Sequence, residues 1–425
     1  MTNIRDLHIQ DEILPLFDFT FNNFAKEELF HLLSKPLSST EAILSRQAIL
    51  KGIILNLNLF DNYSYSRRDL SDTYNFFCNY SNIETSKGIL TLRLLLFQKE
   101  RHQVRSVYSQ VILLLYKLQT NYYKLIDIRS FPESYRAELQ GMNDFLCSFN
   151  LPYYEKLIRE NRIKVKHIIE LSHIVSSKVS RNEHKLFWER LFLFEAYLSI
   201  SKGITKHSFS FPVFSNQELL FEELYHPLIK KPIKNNFAIQ NNVILLTGAN
   251  MSGKSTFLKA LGLAVYLGHV GLGVPASKAE IPYFDSISIA INLNDDIKNG
   301  YSHFMSEIKN LKEVIIQSTD NKKCFAVFDE LFRGTNIEDA IEVSTVTVKG
   351  LLHFKNSVFV ISTHLHQLQD VEEVQTEKVS SYYFDCALTD NTPVFTYQLK
   401  KGWSDLKLGQ ILFEKEGLSK LLNPK

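Results

Sequence analysis

Val243-Ile-Leu-Leu-Thr-Gly-Ala-Asn-Met-Ser-Gly-Lys-Ser-Thr256 decides the fold of the second half of this chain. An apolar run feeds Gly248-x-x-x-x-Gly253-Lys254-Ser255, and a helix-like segment follows. The glycines let bare backbone N–H groups close around phosphate oxygens, while the following helix turns its unpaired N–H groups and positive dipole end to the same anion. Gly248, Asn250, Met251, Ser252, Gly253, Lys254, Ser255 and Thr256 are therefore expected to cradle the phosphates of a nucleoside triphosphate. Lys254 would reach the β and γ phosphates, and the Ser255 hydroxyl would hold Mg²⁺. An ordinary glycine-rich turn would need neither the strand before the motif nor the helix after it.

Working outward, the sequence after about residue 205 alternates short β-branched runs with helical segments, which indicates an α/β domain with a largely parallel sheet. The runs at 243–246, 325–328 and 358–361 each end in a polar group, as expected where ligands bind at the carboxyl ends of strands. The run at 325–328 delivers Asp329-Glu330. In P-loop ATPases the first acid of such a pair orders the Mg²⁺ shell, and the second can polarise the attacking water. Asp329 is expected as a metal partner and Glu330 as the general base. The run at 358–361 ends in Ser362-Thr363-His364, from which an imidazole could contact the γ-phosphate or that water. Alone, an acidic pair is as readily solvated surface, and a histidine is usually structural; their delivery by neighbouring strands gives them meaning.

From about residue 12 to 204 the pattern is helical, with apolar residues three and four apart: Leu92, Leu95 and Leu96, then Val104, Val107, Tyr108, Val111, Leu114 and Leu115. These stripes read as helix-packing core. Ser38-x-x-Glu41 has the form of a capping box, and Pro36, Pro132 and Pro152 mark breaks. The domain boundary is expected between Gly203 and His226.

With 425 residues, 45% hydrophobic and 22% charged, the chain can bury large cores in two or three domains. A net charge of +2 neither demands nor excludes a nucleic-acid partner. The 4 cysteines lie far apart, so neither a disulfide framework nor a zinc site is indicated. The N-terminal residues lack the order of a signal peptide and no run of about 18 apolar residues exists, so a soluble, cytoplasmic protein without membrane partner is expected.

Between the P-loop and the acidic pair lies Asp295-Asp-Ile-x-x-Gly-x-Ser-x-Phe-Met-x-Glu307. With Gly248-x-Asn-Met-x-Gly-Lys-Ser-Thr256, Asp329-Glu-Leu-Phe-Arg-Gly-Thr335 and Ser362-Thr-His364, this resembles the ATPase domain of the MutS family of DNA mismatch-repair proteins over about residues 215–420. The resemblance implies an ABC-class ATPase using ATP and Mg²⁺, with two ATPs sandwiched in a homodimer. It implies that Ser302, with Gly300 and Phe304, touches the partner subunit's ATP, that Glu307 is the acid following that segment, and that Arg333, Gly334, Thr335 and Asp339 lie near the dimer interface. Ala249 departs from the usual Pro, Asn292 and Ala340 from the common Gly, and His303 from the usual Thr; none removes a group that hydrolysis requires.

The helical half resembles the core and lever of that family at its ends, in Leu29 to Gln47 and in Phe194 to Leu198 through Tyr225-His226-Pro227. The expected fold is an all-α core and lever domain over 1–205, followed by an α/β ABC-type P-loop ATPase domain over 206–425. The chain starts close to the lever, so the mismatch-reading domains are expected to be absent. Phe131-Pro132-Glu133 has the letters of the family's wedge motif but the wrong position. A basic stripe including Lys156, Arg159, Arg162, Lys164, Lys166, Lys178, Arg181 and Lys185 could meet DNA phosphates, yet the interleaved acids favour a solvated helix face. Two functions remain open: an ATPase that couples dimerisation to lever movement on duplex or branched DNA, and an ATP-gated interaction module for a protein or a ribosomal or RNA partner. A transporter subunit fits less well, since Leu-Ser-Gly-Gly-Gln is missing.

Overall fold

The computed structural model describes residues 3–80, 87–215, 218–291, 303–319, 322–389, 392–403, 413 and 417–422. The chain forms two compact units: Phe17–Leu32 with Ser45–Thr205, and Met1–Leu16 with Leu33–Leu44 and Lys206–Lys425.

The first unit is helical. Its elements are α2 (Asn23–Ser34) and α3 (Thr40–Leu55), whose facing ends run into the second unit, then α4 (Arg67–Cys78), α5 (Lys87–Leu96), α6 (Gln98–Asn121), α7 (Glu133–Cys147), α8 (Leu151–Arg159), α9 (Val165–Ser180) and α10 (Glu183–Lys206); α1 (Leu14–Phe17) precedes them. Helix α10 is buried nearly all round, as a central helix must be. The Phe187 ring stacks on Phe145 of α7 at 4.4 Å, and Trp188 meets the Phe77 ring of α4 edge-on at 6.2 Å.

Pro132 precedes α7, and Pro152 opens α8, where a missing N–H costs nothing. Two expectations need correction. The hydroxyl capping α3 is Ser39, one residue beyond Ser38, and it accepts the Ala42 N–H at 3.2 Å. The apolar stripe is core only in part: Tyr108, Val111, Leu114 and Leu115 are buried, whereas Leu92, Leu95, Leu96 and Val107 are exposed. A periodic stripe marks an apolar face but carries no information on what covers it. Leu94 of α5 is buried. Phe131 is also buried, its ring against Gly52 and Tyr135.

The second unit holds two sheets. The strands are β1 (Val213–Phe214), β2 (Leu220–Leu224), β3 (Asn235–Ala238), β4 (Val243–Thr247), β5 (Lys278–Ile281), β6 (Ser286–Ala290), β7 (Cys324–Phe328), β8 (Val358–Ser362), β9 (Ser380–Thr389) and β10 (Thr392–Lys401). The larger sheet runs β10-β9-β4-β8-β7-β6, parallel except for the β9/β10 pair; the smaller runs β1-β5-β2-β3. All five residues of β4, β6, β7 and β8 are buried, the continuous apolar character of parallel strands covered on both faces. Helices α11 (Lys254–His269), α12 (His303–Gln317) and α13 (Ile337–Leu351) connect them.

Early residues of the chain complete this unit. Asn3 bridges Ser288 of β6, and the Asp6 carboxylate accepts the Ile291 N–H at 2.7 Å. The Tyr266 hydroxyl on α11 donates to the Leu33 carbonyl at 2.7 Å, and the Leu37 N–H to the His269 carbonyl at 2.8 Å.

Candidate nucleotide site

Strand order places the chemistry. β4 lies beside β8, and β8 beside β7, all parallel, so their carboxyl ends share one edge of the sheet. That edge carries the P-loop after β4, Asp329 and Glu330 after β7, and Thr363 and His364 after β8.

The P-loop backbone is shaped for an anion. Gly248 has φ +135° and Gly253 φ +105°, a region that side chains rarely adopt. A Cβ on Gly248 would meet Ser252 Oγ at 3.0 Å, and one on Gly253 the Tyr397 ring at 3.2 Å. Gly253 also caps α11 and aims its first turn at the loop. The Ser252 hydroxyl is buried with no hydrogen-bond partner, an orphan that a phosphate oxygen would satisfy. Ser255 and Thr256 are exposed on that first turn, and Asn250 and Met251 lie at the loop's surface. Glycine cradle, orphan hydroxyl and helix N-terminus fit a triphosphate, and the Ser255 hydroxyl with Asp329 fits Mg²⁺ as oxygen donors that leave room for phosphate and water ligands.

Lys254 is 5% exposed. Its ammonium donates to the Gly248 and Ala249 carbonyls at 2.8 and 3.1 Å, and burial pushes its pKa below the usual lysine value while Glu330 and Asp329 pull it back. Its Nζ also lies 3.3 Å from His364 Nε2, and that same nitrogen lies 2.8 Å from Glu330 Oε1. An ionised carboxylate only accepts, so Nε2 donates to Glu330 and is then no acceptor for the lysine.

Glu330 is the most constrained side chain of the group. Arg333 donates to its Oε2 at 2.9 Å. The hydrogen bond from His364, aided by the charges of His364, Arg333 and Lys254, outweighs burial and holds its pKa at about 2. Its backbone is left-handed, φ +52°, with Phe332 two residues on at φ +67°. The Ser362 hydroxyl accepts the Glu330 N–H at 2.9 Å and donates to Asp329 Oδ1. Glu307, buried on α12, accepts the Phe332 N–H at 3.1 Å, and burial raises its pKa to about 7.

Two cavities meet at this edge. One, of about 480 Å³, runs from the P-loop past Phe384 and Tyr397 to Ile229, Ile233 and His226, an apolar end sized for a base and sugar. The other, of about 470 Å³, is lined by Asn250, Met251, Glu330, Arg333, Thr335 and His364.

Gly248, Asn250, Met251, Ser252, Gly253, Lys254, Ser255, Thr256, Asp329, Glu330 and His364 thus gather at one sheet edge. Phe304 packs instead against Phe332, at 6.1 Å between rings, and beneath Gly334, where an added Cβ would strike its backbone at 3.0 Å. Arg333 is exposed, and Asp339 serves the Asn336 cap of α13. Gly300 and Ser302 lie outside the described residues. The apolar end of the first cavity, the Arg333–Glu330 pair and Ser362 were not read from the sequence. The cavity joins residues distant along the chain, the Arg333–Glu330 pair is an i,i+3 contact that depends on the left-handed turn at Glu330 and Phe332, and only the hydroxyl before Thr363-His364 hinted at Ser362.

Among the described residues no helix is long and apolar enough to cross a membrane. Residues 244–420 match the family described as MutS domain V. The chain is similar to proteins named DNA mismatch repair protein MutS: 29% identical over 262 residues to that of Bacillus subtilis, covering 60% of this chain and 29% of the relative. To that of Bacillus pumilus it is 32% identical over 206 residues, 47% of this chain and 24% of the relative. To that of Fusobacterium nucleatum it is 30% identical over 214 residues, 48% and 24%. Each match thus spans under a third of the relative's own length, and what the comparisons support for residues 244–420 is a MutS-type ATPase domain.

Proposed function

We propose that the chain is an ATP-hydrolysing MutS-like protein in which ATP pairs two copies through their sheet-bearing units, and the helical unit acts as a lever on duplex or branched DNA without reading mismatches. One observation carries the reading: Lys254, Asp329, Glu330 and His364 converge at the carboxyl ends of three adjacent parallel strands, beside a glycine cradle with an orphaned hydroxyl. Lys254 moves its ammonium from the loop carbonyls to the β and γ phosphates. Ser255 and Asp329 would hold Mg²⁺, which would supply charge neutralisation at the phosphoryl oxygens. Glu330 orients the water that attacks the γ-phosphorus and takes its proton as ADP leaves; His364 holds Glu330 in place. The hydrogen bond from His364 is the main reason that this carboxylate sits at about pKa 2, with the Arg333 charge a smaller one, so Glu330 stays ionised to accept that proton.

DNA as the partner rests on less than the nucleotide site does. In the basic stripe Arg159 pairs with Glu155, Arg162 with Glu160, and both Lys178 and Arg181 with Glu183, which weakens its attraction for phosphates and keeps a protein or RNA partner in play.

A salt-titrated binding series against homoduplex, mismatched and branched DNA and RNA, with and without ATP, tests the partner. ATP-dependent DNA binding that differs by less than about tenfold, or 1.4 kcal/mol, between matched and mismatched duplexes is expected. Preference for RNA, or no nucleic-acid binding, would move the reading to the interaction module. Light scattering of Glu330→Gln with ATP and Mg²⁺ tests the pairing: a monomer with ATP bound would end the sandwich.

A further inference from the structure

We infer that Ser362 is a positioning residue for hydrolysis, the single hydroxyl that sets the metal-side and water-side carboxylates at the same time. The inference rests on the reading of this edge as an ATPase site.

Register gives Ser362 its place. Phe328 of β7 pairs with Ile361 of β8, so the next step along both strands sets Asp329 beside Ser362, while Leu246 of the P-loop strand pairs with Ser362 from the other side. The residue therefore stands between the strand that delivers the phosphate loop and the strand that delivers the acids. It is fully buried. A serine hydroxyl has one proton and two lone pairs, and here both kinds of bond are used: it donates to Asp329 Oδ1 and accepts the Glu330 N–H at 2.9 Å.

The second bond matters because of the backbone at Glu330. Its φ of +52° is unfavourable for a residue with a Cβ and persists only where surrounding bonds over-determine it. An anchored N–H does this, and it fixes the direction in which the carboxylate leaves the chain, toward His364 and Arg333. The first bond fixes the rotation of the Asp329 carboxyl through Oδ1, and Oδ2 would be the oxygen offered toward Mg²⁺. Alanine would strand both partners: an Asp329 oxygen without its donor and a Glu330 N–H without its acceptor.

Ser362→Ala in the full chain is therefore expected to bind ATP within about twofold of the parent in Mg²⁺-free titration, while kcat falls about tenfold or more and the Mg²⁺ concentration for half-maximal rate rises several-fold. Packing alone would not move the Mg²⁺ requirement at constant ATP binding. Ser362→Cys, similar in volume and a weak donor, should restore the melting temperature and part of the rate. Parent-like kcat and Mg²⁺ dependence in Ser362→Ala would overturn the inference, as would a Cys variant that folds and binds ATP like the parent yet is no faster than Ala. A parent chain that hydrolyses no ATP would overturn the ATPase reading and this inference together, a result distinct from the other two.

Discussion

Glu195 on α10 of the helical unit and Glu330 at the sheet edge are both carboxylates held by several hydrogen bonds, yet they are driven in opposite directions. Glu195 is fully buried and accepts from the Tyr63 hydroxyl at 2.6 Å, the Tyr65 hydroxyl at 2.8 Å and the Asn22 amide. All its donors are neutral, burial wins, and its pKa rises to about 7. Glu330 is nearer solvent and its donors are a histidine and an arginine, with a lysine close by; its pKa falls to about 2. Hydrogen-bond number does not separate the two, but donor charge and depth do. A carboxylate among neutral donors in a sealed core joins elements: Asn22 caps α2 through the Ala25 N–H, and Tyr63 and Tyr65 lie on the segment leading into α4. One among cations at an open edge is kept ionised.

The sharpest way to break this contrast is to neutralise each acid. Glu330→Gln should lower hydrolysis by roughly 10²–10⁴-fold while ATP stays bound, because only water activation is lost. Phosphate release in a single turnover measures it, and a loss under tenfold would remove Glu330 from the role of base. Glu195→Gln should act on stability instead. The folded pKa of about 7 lies above the ordinary glutamate value of 4.5, so between the two the folded helical unit holds a proton that the unfolded chain has released. Its stability should fall as pH rises from about 4.5 to 7, by about 3 kcal/mol from this one group, and the glutamine variant should flatten that slope. Urea titrations across this range decide it; equal slopes in both proteins would place Glu195 among ordinary solvated acids.

Lys254→Ala should abolish the ATP-induced gain in stability, about 2.7 kcal/mol at a hundred times the dissociation constant. Equal melting shifts in both proteins would reject the phosphate assignment. The smallest effect is expected from Arg333→Ala. Removing one cation from Glu330 should move the acid limb of the kcat/KM pH profile upward by a fraction of a unit, since an exposed ion pair is worth about 0.2–1 kcal/mol. A shift downward would mean that Arg333 does not act on Glu330.

Much of the edge was legible because its information is local. The P-loop spacing, Asp329-Glu330 and Thr363-His364 each follow an apolar run, and a parallel strand needs nothing beyond that run to announce where it ends. What stayed hidden is pairwise. That Ser362 faces Asp329 follows from the β7/β8 register, which no single run specifies. That Ile229, Ile233 and Tyr397 line one cavity depends on loop and strand packing across the sheet. The leucines of α5 show the opposite failure: a clear periodicity predicted a buried face, and the face lies open.

The assignment of residues 3–16 and 33–44 to the sheet-bearing unit bears on how the molecule comes apart. A gene fragment starting at Lys206 would carry the P-loop and both acids but lack the Leu33 carbonyl that receives the buried Tyr266 hydroxyl and the Asp6 carboxylate that receives the Ile291 N–H. Such a fragment would melt earlier than the same unit in the intact chain. The polypeptide enters and leaves the helical unit twice, so heat or denaturant meets two bodies joined by several strands of chain, and their unfolding should be coupled where a single linker would have let them unfold independently.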